Sequence, residues 1–293
     1  MRRLLAVTVA TAVAAGALLG LAGCSSAQVD DGRISVVAST NVWGNIAELI
    51  GGDQVSVFSV IHDDSQDPHE FAAGANDLLR VSRAAVVIEN GGGYDDFMDQ
   101  MLDAADPSAA VVTVSDLANT GVENEHYWFD FVVVGQVADA LAAEFAQLDS
   151  THAADFAERN AAFHVKLDGL QQRAEDIASA HPGRSALLTE PLPYYLLTAA
   201  GFSDITPPGL SLAVEAGTEI PPTALNESRQ LLSGHQVNLL ARNAQTDSAQ
   251  IDQLISAASS AGLPVIEFRE LLPAGSQYID WMNGYLTELE RVS

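Results

Sequence analysis

The chain has 293 residues, with 13 Lys and Arg against 39 Asp and Glu, a formal net charge of −26 and a single cysteine. Such an acidic balance argues against nucleic acid as a partner and against a surface that itself seeks anionic lipid. One cysteine excludes a disulfide framework, zinc fingers and iron–sulfur clusters held by cysteines.

Arg2 and Arg3 precede the apolar run from Leu4 to Ala22, which ends at Leu21-Ala22-Gly23-Cys24. A charged start, an apolar middle rich in small residues and a small-residue cut site describe an export leader. The run is also close to the ~20 residues a spanning helix needs, but its small residues and terminal cysteine favour the leader. Leu-Ala-Gly-Cys resembles the bacterial lipoprotein processing box. That resemblance implies residues 1–23 as a cleaved signal peptide, a lipid on Cys24, and residues 24–32 as a flexible tether. From Cys24 onward the chain is long enough for two α/β lobes.

Ile34–Ser39 reads as a strand, and Asn41 as the cap of a helix over 42–50 that stops at Gly51-Gly52. Strands follow at 55–61, 84–89 and 109–114, with helices at 75–82 and 94–105 between them. Continuously apolar strands alternating with helices predict a parallel sheet covered on both faces. From Phe131 to Ala180 no β-like run occurs, and two helices are expected, 131–148 and 151–180, broken at Asp149-Ser150. The second would span about 45 Å at 1.5 Å per residue and could tie two lobes together. It stops at His181-Pro182-Gly183. The β/α rhythm then restarts, with strands at 185–189, 236–240 and 265–268 and helices at 193–200, 223–232, 248–261 and 276–291. The stretch between Pro207-Pro208 and Pro221-Pro222 reads as a loop. The expected fold is α/β: two Rossmann-like lobes, 33–150 and 183–293, with parallel sheets, joined by one long helix over 151–182. Each lobe is expected to hold its own core.

Ligands of open α/β sheets lie beyond the carboxyl ends of the strands. His69, Glu190 and Glu270 follow strands, and His126 lies between the fourth strand and the long helical segment. Asp67-Pro68-His69-Glu70-Phe71 places an imidazole on a proline-stiffened turn beside carboxylates, and neutral imidazole is the commonest transition-metal ligand. His126 stands among three aromatics, where a structural histidine is the competing reading. Glu267 competes with Glu270, but alternates with Ile266 and Phe268 and reads as a face residue. His62 lies near His69 in an acidic loop, whereas His152, His164, His181 and His235 read as solvated. No Gly-x-Ser-x-Gly, His-Glu-x-x-His or phosphate-cradling glycine loop occurs.

Asp67–Phe71, Asn90-Gly91-Gly92-Gly93-Tyr94-Asp95-Asp96-Phe97 and Glu125-His126-Tyr127-Trp128-Phe129-Asp130, in this order, resemble the zinc/manganese substrate-binding lipoproteins of bacterial ABC importers. The resemblance implies two α/β lobes joined by a long helix, and a metal held by His69, His126, Glu190 and Glu270. Many zinc members carry histidine where Glu190 stands, and many members carry aspartate where Glu270 stands. The histidine-rich loop of several zinc members is missing, since Leu117–Glu125 contains no histidine. The implied function is that of a monomeric, lipid-anchored, extracytoplasmic receptor. It would carry Mn2+ or Zn2+, with Fe2+ a further candidate, to a membrane permease. Two imidazoles and two carboxylates neutralise a dication, and four protein ligands suit carriage better than catalysis, which needs an open position. The alternatives are an exported metal-dependent hydrolase and a metal-free binder of a chelate or other organic ligand on the same frame.

Overall fold

Helix and strand alternate from Ile34 onward because apolar β-branched runs are separated by amphipathic segments. The computed structural model describes residues 32–63, 66, 68, 71–121 and 124–292. The leader, Cys24, most of the tether and His69 lie outside the described residues. Residues 33–293 form one compact unit.

The first sheet contains β1 (Ile34–Thr40), β2 (Val55–Ile61), β3 (Val86–Glu89) and β4 (Ala110–Thr113), all parallel in the order β2-β1-β3-β4. The second contains β5 (Arg184–Leu188), β6 (Phe202–Asp204), β7 (Leu239–Asn243) and β8 (Val265–Phe268), parallel in the order β6-β5-β7-β8. The two sheets therefore repeat one topology, although no internal repeat is visible in the sequence. In each sheet the connections reverse direction between the two central strands, which opens a crevice at their carboxyl ends.

Helices α1 (Asn41–Gly51), α2 (Ala75–Val81), α3 (Asp96–Ala105) and α4 (Val114–Leu117) belong to the first lobe. Helix α5 (Phe131–Leu148) leads into α6 (Ala153–Ala180), the long connecting helix. Its buried residues Phe156, Phe163, Leu167, Leu170, Ala174 and Ile177 recur every three, four or seven positions and make one apolar stripe. Arginines fasten this helix at both ends. Arg159 donates to the Ile50 and Gly51 carbonyls at 2.7 and 2.9 Å. Arg173 reaches Asn283 and Thr287 of the last helix, α11 (Tyr278–Leu289), and Glu290, which caps it. Between them the second lobe carries α7 (Tyr194–Ala199), α8 (Leu210–Glu215), α9 (Pro222–Ser233) and α10 (Ala249–Ser260). Gly201 turns the chain from α7 into β6 at φ +81°; a Cβ there would press on Ala178 of α6, so only glycine lets the two backbones meet.

Several details differ from the sequence reading. Strand β6 falls between the expected elements and helix α8 within the segment read as a loop: β6 is three residues long and α8 six, too short to show periodicity. Strand β7 begins three residues later than expected. Asn41 is the first residue of α1 and not its cap. Its side-chain amide instead donates to the Leu272 carbonyl at 2.8 Å and accepts from the Leu272 N–H at 2.9 Å, joining the lobes.

Each lobe has an apolar cluster of its own, around Val60, Val87, Phe97 and Met98 in the first and around Leu187, Leu210, Leu240 and Leu254 in the second, and a larger cluster spans both. One buried apolar cluster runs from Val36, Trp43 and Ile88 of the first lobe through Phe129, Phe145 and Phe163 to Leu188, Phe268 and Trp281 of the second. Phe129 is the junction, with ring contacts to Phe268, Trp281 and Tyr285 at centroid distances of 6.0, 5.9 and 5.8 Å. Tyr278 reinforces it by donating to the Trp128 carbonyl at 2.7 Å. The lobes share apolar burial, so their interface resembles a core more than a wet hinge.

Candidate metal centre

The carboxyl ends of β5 and β7 flank the crevice of the second sheet. Glu190 stands two residues beyond β5 and Asn243 is the last residue of β7. Glu270 follows β8 by two residues. Glu190 and Glu270 are 4% and 2% exposed, a rare state for carboxylates without a partner. One amide holds both: Asn243 Nδ2 donates to Glu190 Oε2 at 2.6 Å and to Glu270 Oε1 at 3.0 Å. Gln245 supports the pair from behind. Its N–H donates to Asn243 Oδ1 at 3.0 Å, and its Oε1 accepts from the Glu270 N–H at 2.6 Å. Gln245 Nε2 also donates to the Gln66 carbonyl at 2.9 Å, in the loop that carries the Asp-Pro-His motif.

The first lobe supplies the opposing wall. The Asn90–Phe97 motif folds so that Asp95 accepts from the N–H groups of Asn90 and Gly91 at 2.7 and 2.8 Å. Gly91, Gly92 and Gly93 all have positive φ, and a Cβ on Gly91 would collide with the Ser115 hydroxyl. This turn delivers Tyr94, whose hydroxyl donates to Glu270 Oε2 at 3.2 Å. His126 is fully buried, edge-on to Tyr94 and Trp128. Its Nε2 lies 3.6 Å from Glu270 Oε2.

The network fixes the tautomer of His126. Asn124 Nδ2 donates to the Pro191 carbonyl at 2.9 Å, so Asn124 Oδ1 faces the histidine. That oxygen accepts from the His126 backbone N–H at 3.0 Å and lies 2.7 Å from Nδ1. In the neutral ring Nδ1 therefore carries the proton and Nε2 keeps its lone pair toward Glu270, as in a metal-ligating histidine oriented by an outer hydrogen bond. Asn124 also anchors the lobes, because its carbonyl accepts from the Tyr195 hydroxyl at 2.7 Å.

Electrostatics follow from burial. Burial alone lowers the pKa of His126, but the charge of Glu270 and its hydrogen bond outweigh this and hold the imidazole above its ordinary value. Burial raises the Glu190 carboxyl, repulsion from Glu270 adds to it, and Thr246, Asn243 and His126 oppose it. Glu190 Oε1 is closed to solvent and has no hydrogen-bond partner of good geometry among the described residues. A buried lone pair left open beside a second carboxylate and an imidazole lone pair is a constellation suited to a cation.

His126, Glu190 and Glu270 are thus brought together across the lobes. Glu267 is exposed on β8 and paired with Arg242 at 2.9 Å, away from the buried pair. His62, His181 and His235 are exposed, and His152 and His164 pair with Asp149 and Asp139. Asn243, Tyr94, Asn124 and Gln245 were not singled out from the sequence. Asn243 was accessible to the strand-end rule, but the sequence placed the end of β7 three residues too early. Nor was Glu215, at the end of α8: Glu125, His126 and Glu215 each offer one ligand atom, all within 4.8 Å of one another.

The family model described as zinc-uptake complex component A, periplasmic (ZnuA), matches residues 36–292. The chain belongs to that family. Among curated relatives, the metal ABC transporter substrate-binding lipoprotein SloC of Streptococcus mutans is 24% identical over 186 residues, 58% of this chain and 60% of its own length. The manganese ABC transporter substrate-binding lipoprotein PsaA of Streptococcus pneumoniae is 25% identical over 190 residues, 58% of this chain and 61% of its own length. The matched stretch thus spans about three fifths of these family members. Among solved structures, the periplasmic zinc-binding protein TroA of Treponema pallidum shares the fold with a TM-score of 0.76 at 19% identity, over 89% of this chain and 99% of that one. The two-lobed α/β architecture with its long linking helix is the fold of the family.

Proposed function

We propose that the chain is an extracytoplasmic receptor that binds Mn2+ or Zn2+ between its lobes and delivers it to the membrane permease of an ABC importer. The observation that carries this reading is the buried His126–Glu270–Glu190 constellation, with ligand-type atoms drawn from both lobes and one Glu190 oxygen without a hydrogen-bond partner of good geometry among the described residues. His69 completes the ligand set in this reading; it lies outside the described residues, but the nearby Gln66 is held by Gln245, the residue that also holds Glu270. Two buried carboxylates supply hard oxygen donors. These shift preference from Zn2+ toward Mn2+ or Fe2+, while raw affinity still follows the Irving–Williams order. Relatives named for manganese and for zinc are consistent with either cargo. Cys24 is the lipid attachment point, residues 1–23 are removed as the leader, and the receptor acts as a monomer. Residues 33–150 and 183–293 are the two lobes. The match to a zinc-uptake component leaves the exported hydrolase weighed from the sequence without support.

The direct test is thermal unfolding of the mature protein after chelator removal. A ligand bound by the folded form alone stabilises by RT ln(1 + [L]/Kd), about 4 kcal/mol at a thousandfold excess over Kd. At roughly 2–4 °C per kcal/mol for a chain of this size, Mn2+ or Zn2+ should raise Tm by about 8–16 °C. Absence of any shift with Mn2+, Zn2+ and Fe2+ would overturn the transport reading.

Binding should also be coupled to protons. His126 and Glu190 both hold protons to higher pH than free side chains do, and both must lose them to ligate. Affinity is therefore full at alkaline pH and falls as pH drops through a window that opens above the ordinary imidazole value of ~6.5. Calorimetric titration near neutral pH in two buffers of different ionisation enthalpy should show proton release on binding. Equal heats in both buffers would contradict this.

A further inference from the structure

The side-chain amide of Asn243 has two N–H groups, and both are spent on carboxylates of the metal centre: one on Glu190 Oε2 at 2.6 Å, the other on Glu270 Oε1 at 3.0 Å. We infer that Asn243 sets the selectivity of the site. By engaging one oxygen of each carboxylate it limits Glu190 and Glu270 to a single ligand oxygen apiece, which favours four-coordinate Zn2+ over Mn2+. The inference rests on the metal-receptor reading above and names the cargo that such a receptor prefers.

The amide is held so that it cannot turn away. Asn243 is buried at the end of β7, where it pairs with Phe268 of β8, and its backbone N–H donates to Thr189 Oγ1 at 3.2 Å. Its Oδ1 accepts from the Gln245 N–H at 3.0 Å, a bond that an amide turned end for end could not make. The Nδ2 end therefore faces the carboxylates. The other oxygen of each carboxylate is left for an ion. Glu270 Oε2 lies 3.6 Å from His126 Nε2, and Glu190 Oε1 has no hydrogen-bond partner of good geometry among the described residues. Chelation through both oxygens of either glutamate would require that carboxylate to rotate off Asn243, which leaves a buried N–H unpaired.

Donor number separates the two metals. Zn2+ takes four ligands in a tetrahedron, whereas Mn2+ favours six, chiefly oxygen. The described residues offer His126 Nε2 and one oxygen from each glutamate, so Zn2+ needs one more donor and Mn2+ three more. Two-oxygen chelation by both glutamates would supply two of those three, and Asn243 opposes it. Water is a poor substitute beside glutamates only 4% and 2% exposed. The oxygen chemistry of the carboxylates draws the site toward Mn2+; the number of oxygens that Asn243 leaves draws it toward Zn2+. Selectivity is the difference between these two effects, and the amide acts on one of them alone.

The experiment is competition titration of the mature full chain with Mn2+ and Zn2+, together with the visible spectrum of the Co2+-loaded protein. Wild type is compared with Asn243→Ala and with Asn243→Leu, which removes the donors at nearly constant volume. Loss of a hydrogen bond that orients a metal ligand costs about 10- to 100-fold in affinity. Zn2+ affinity should fall by that much in both variants, while Mn2+ gains carboxylate oxygens and keeps or improves its affinity. The ratio Kd(Mn2+)/Kd(Zn2+) should thus drop at least about tenfold. Co2+ reports coordination directly: wild type should give the intense visible bands of a tetrahedral ion, and the variants the weak bands of a more highly coordinated one. An unchanged ratio, including an equal loss of both metals, would overturn the inference. So would weak Co2+ bands from wild type, a result that stands even where the variants fail to fold. Either failure in a wild type that binds Mn2+ and Zn2+ leaves the receptor reading intact. A wild type that binds neither metal overturns that reading, and this inference with it.

Discussion

Glu190→Ala is expected to weaken Mn2+ and Zn2+ binding by several orders of magnitude while leaving the fold in place. Each order corresponds to about 1.4 kcal/mol. The loss is large because Glu190 offers a buried oxygen with no hydrogen-bond partner of good geometry among the described residues, and because its charge is part of what neutralises the dication. The fold should survive: Asn243 Nδ2 keeps its bond to Glu270, and the shared core through Phe129 does not include Glu190. Glu190→His should move selectivity toward Zn2+, because it replaces a hard oxygen with imidazole nitrogen and removes a negative charge that Mn2+ needs more. Glu267→Ala should leave affinity unchanged, since that carboxylate is exposed and engaged with Arg242. Calorimetric titration of the three variants gives the answer. A silent Glu190→Ala would remove the two-lobed site, and a damaging Glu267→Ala would mean that the acid after β8 was misassigned.

Most of the frame is legible in the sequence because the frame is built from periodic patterns. Apolar runs such as Ile34–Thr40 and Val86–Glu89 announce buried parallel strands, and the unbroken helical pattern of Ala153–Ala180 announces the connector. The short elements are lost because three or six residues carry no period, which is why Phe202–Asp204 matches no expected element and Leu210–Glu215 falls in the expected loop. That loss hid Glu215. Glu190 and Glu270 could be named because ionisable residues next to strand ends are conspicuous, and His126 because it stands in the Glu-His-Tyr-Trp-Phe-Asp motif that carries the family resemblance. Their supports could not. Asn243, Gln245 and Asn124 are ordinary amides whose importance lies in which atoms they face, and Asn41 looked like a helix cap while it bridges to Leu272. The continuous core was equally hidden, since the sequence shows that Phe129 and Phe268 are apolar but not that they touch.

Asn243→Asp is expected to cost the metal-free protein more stability than removal of either carboxylate it serves. In the wild type one amide nitrogen donates to Glu190 Oε2 and to Glu270 Oε1, so two buried carboxylates are held around a shared donor. Aspartate has the same shape but no donor, and it places a third carboxylate within hydrogen-bond distance of the other two. An uncompensated buried charge costs about 3–5 kcal/mol. At 2–4 °C per kcal/mol, Tm in EDTA should fall by roughly 6–20 °C. The sign of the pH dependence follows from the crowding. Repulsion raises the folded-state pKa of the group above its unfolded value, so the penalty is absent where the carboxyls are protonated and grows as pH rises. The deficit relative to wild type should therefore be small near pH 4 and largest above neutrality. A bound dication supplies the missing positive charge, so saturating Mn2+ should recover part of the loss and produce a larger metal-induced shift than in wild type. Scanning calorimetry of both proteins with EDTA or Mn2+ tests each part. A variant whose metal-free Tm stays within about 2 °C of wild type would show that Asn243 does not hold the carboxylates together.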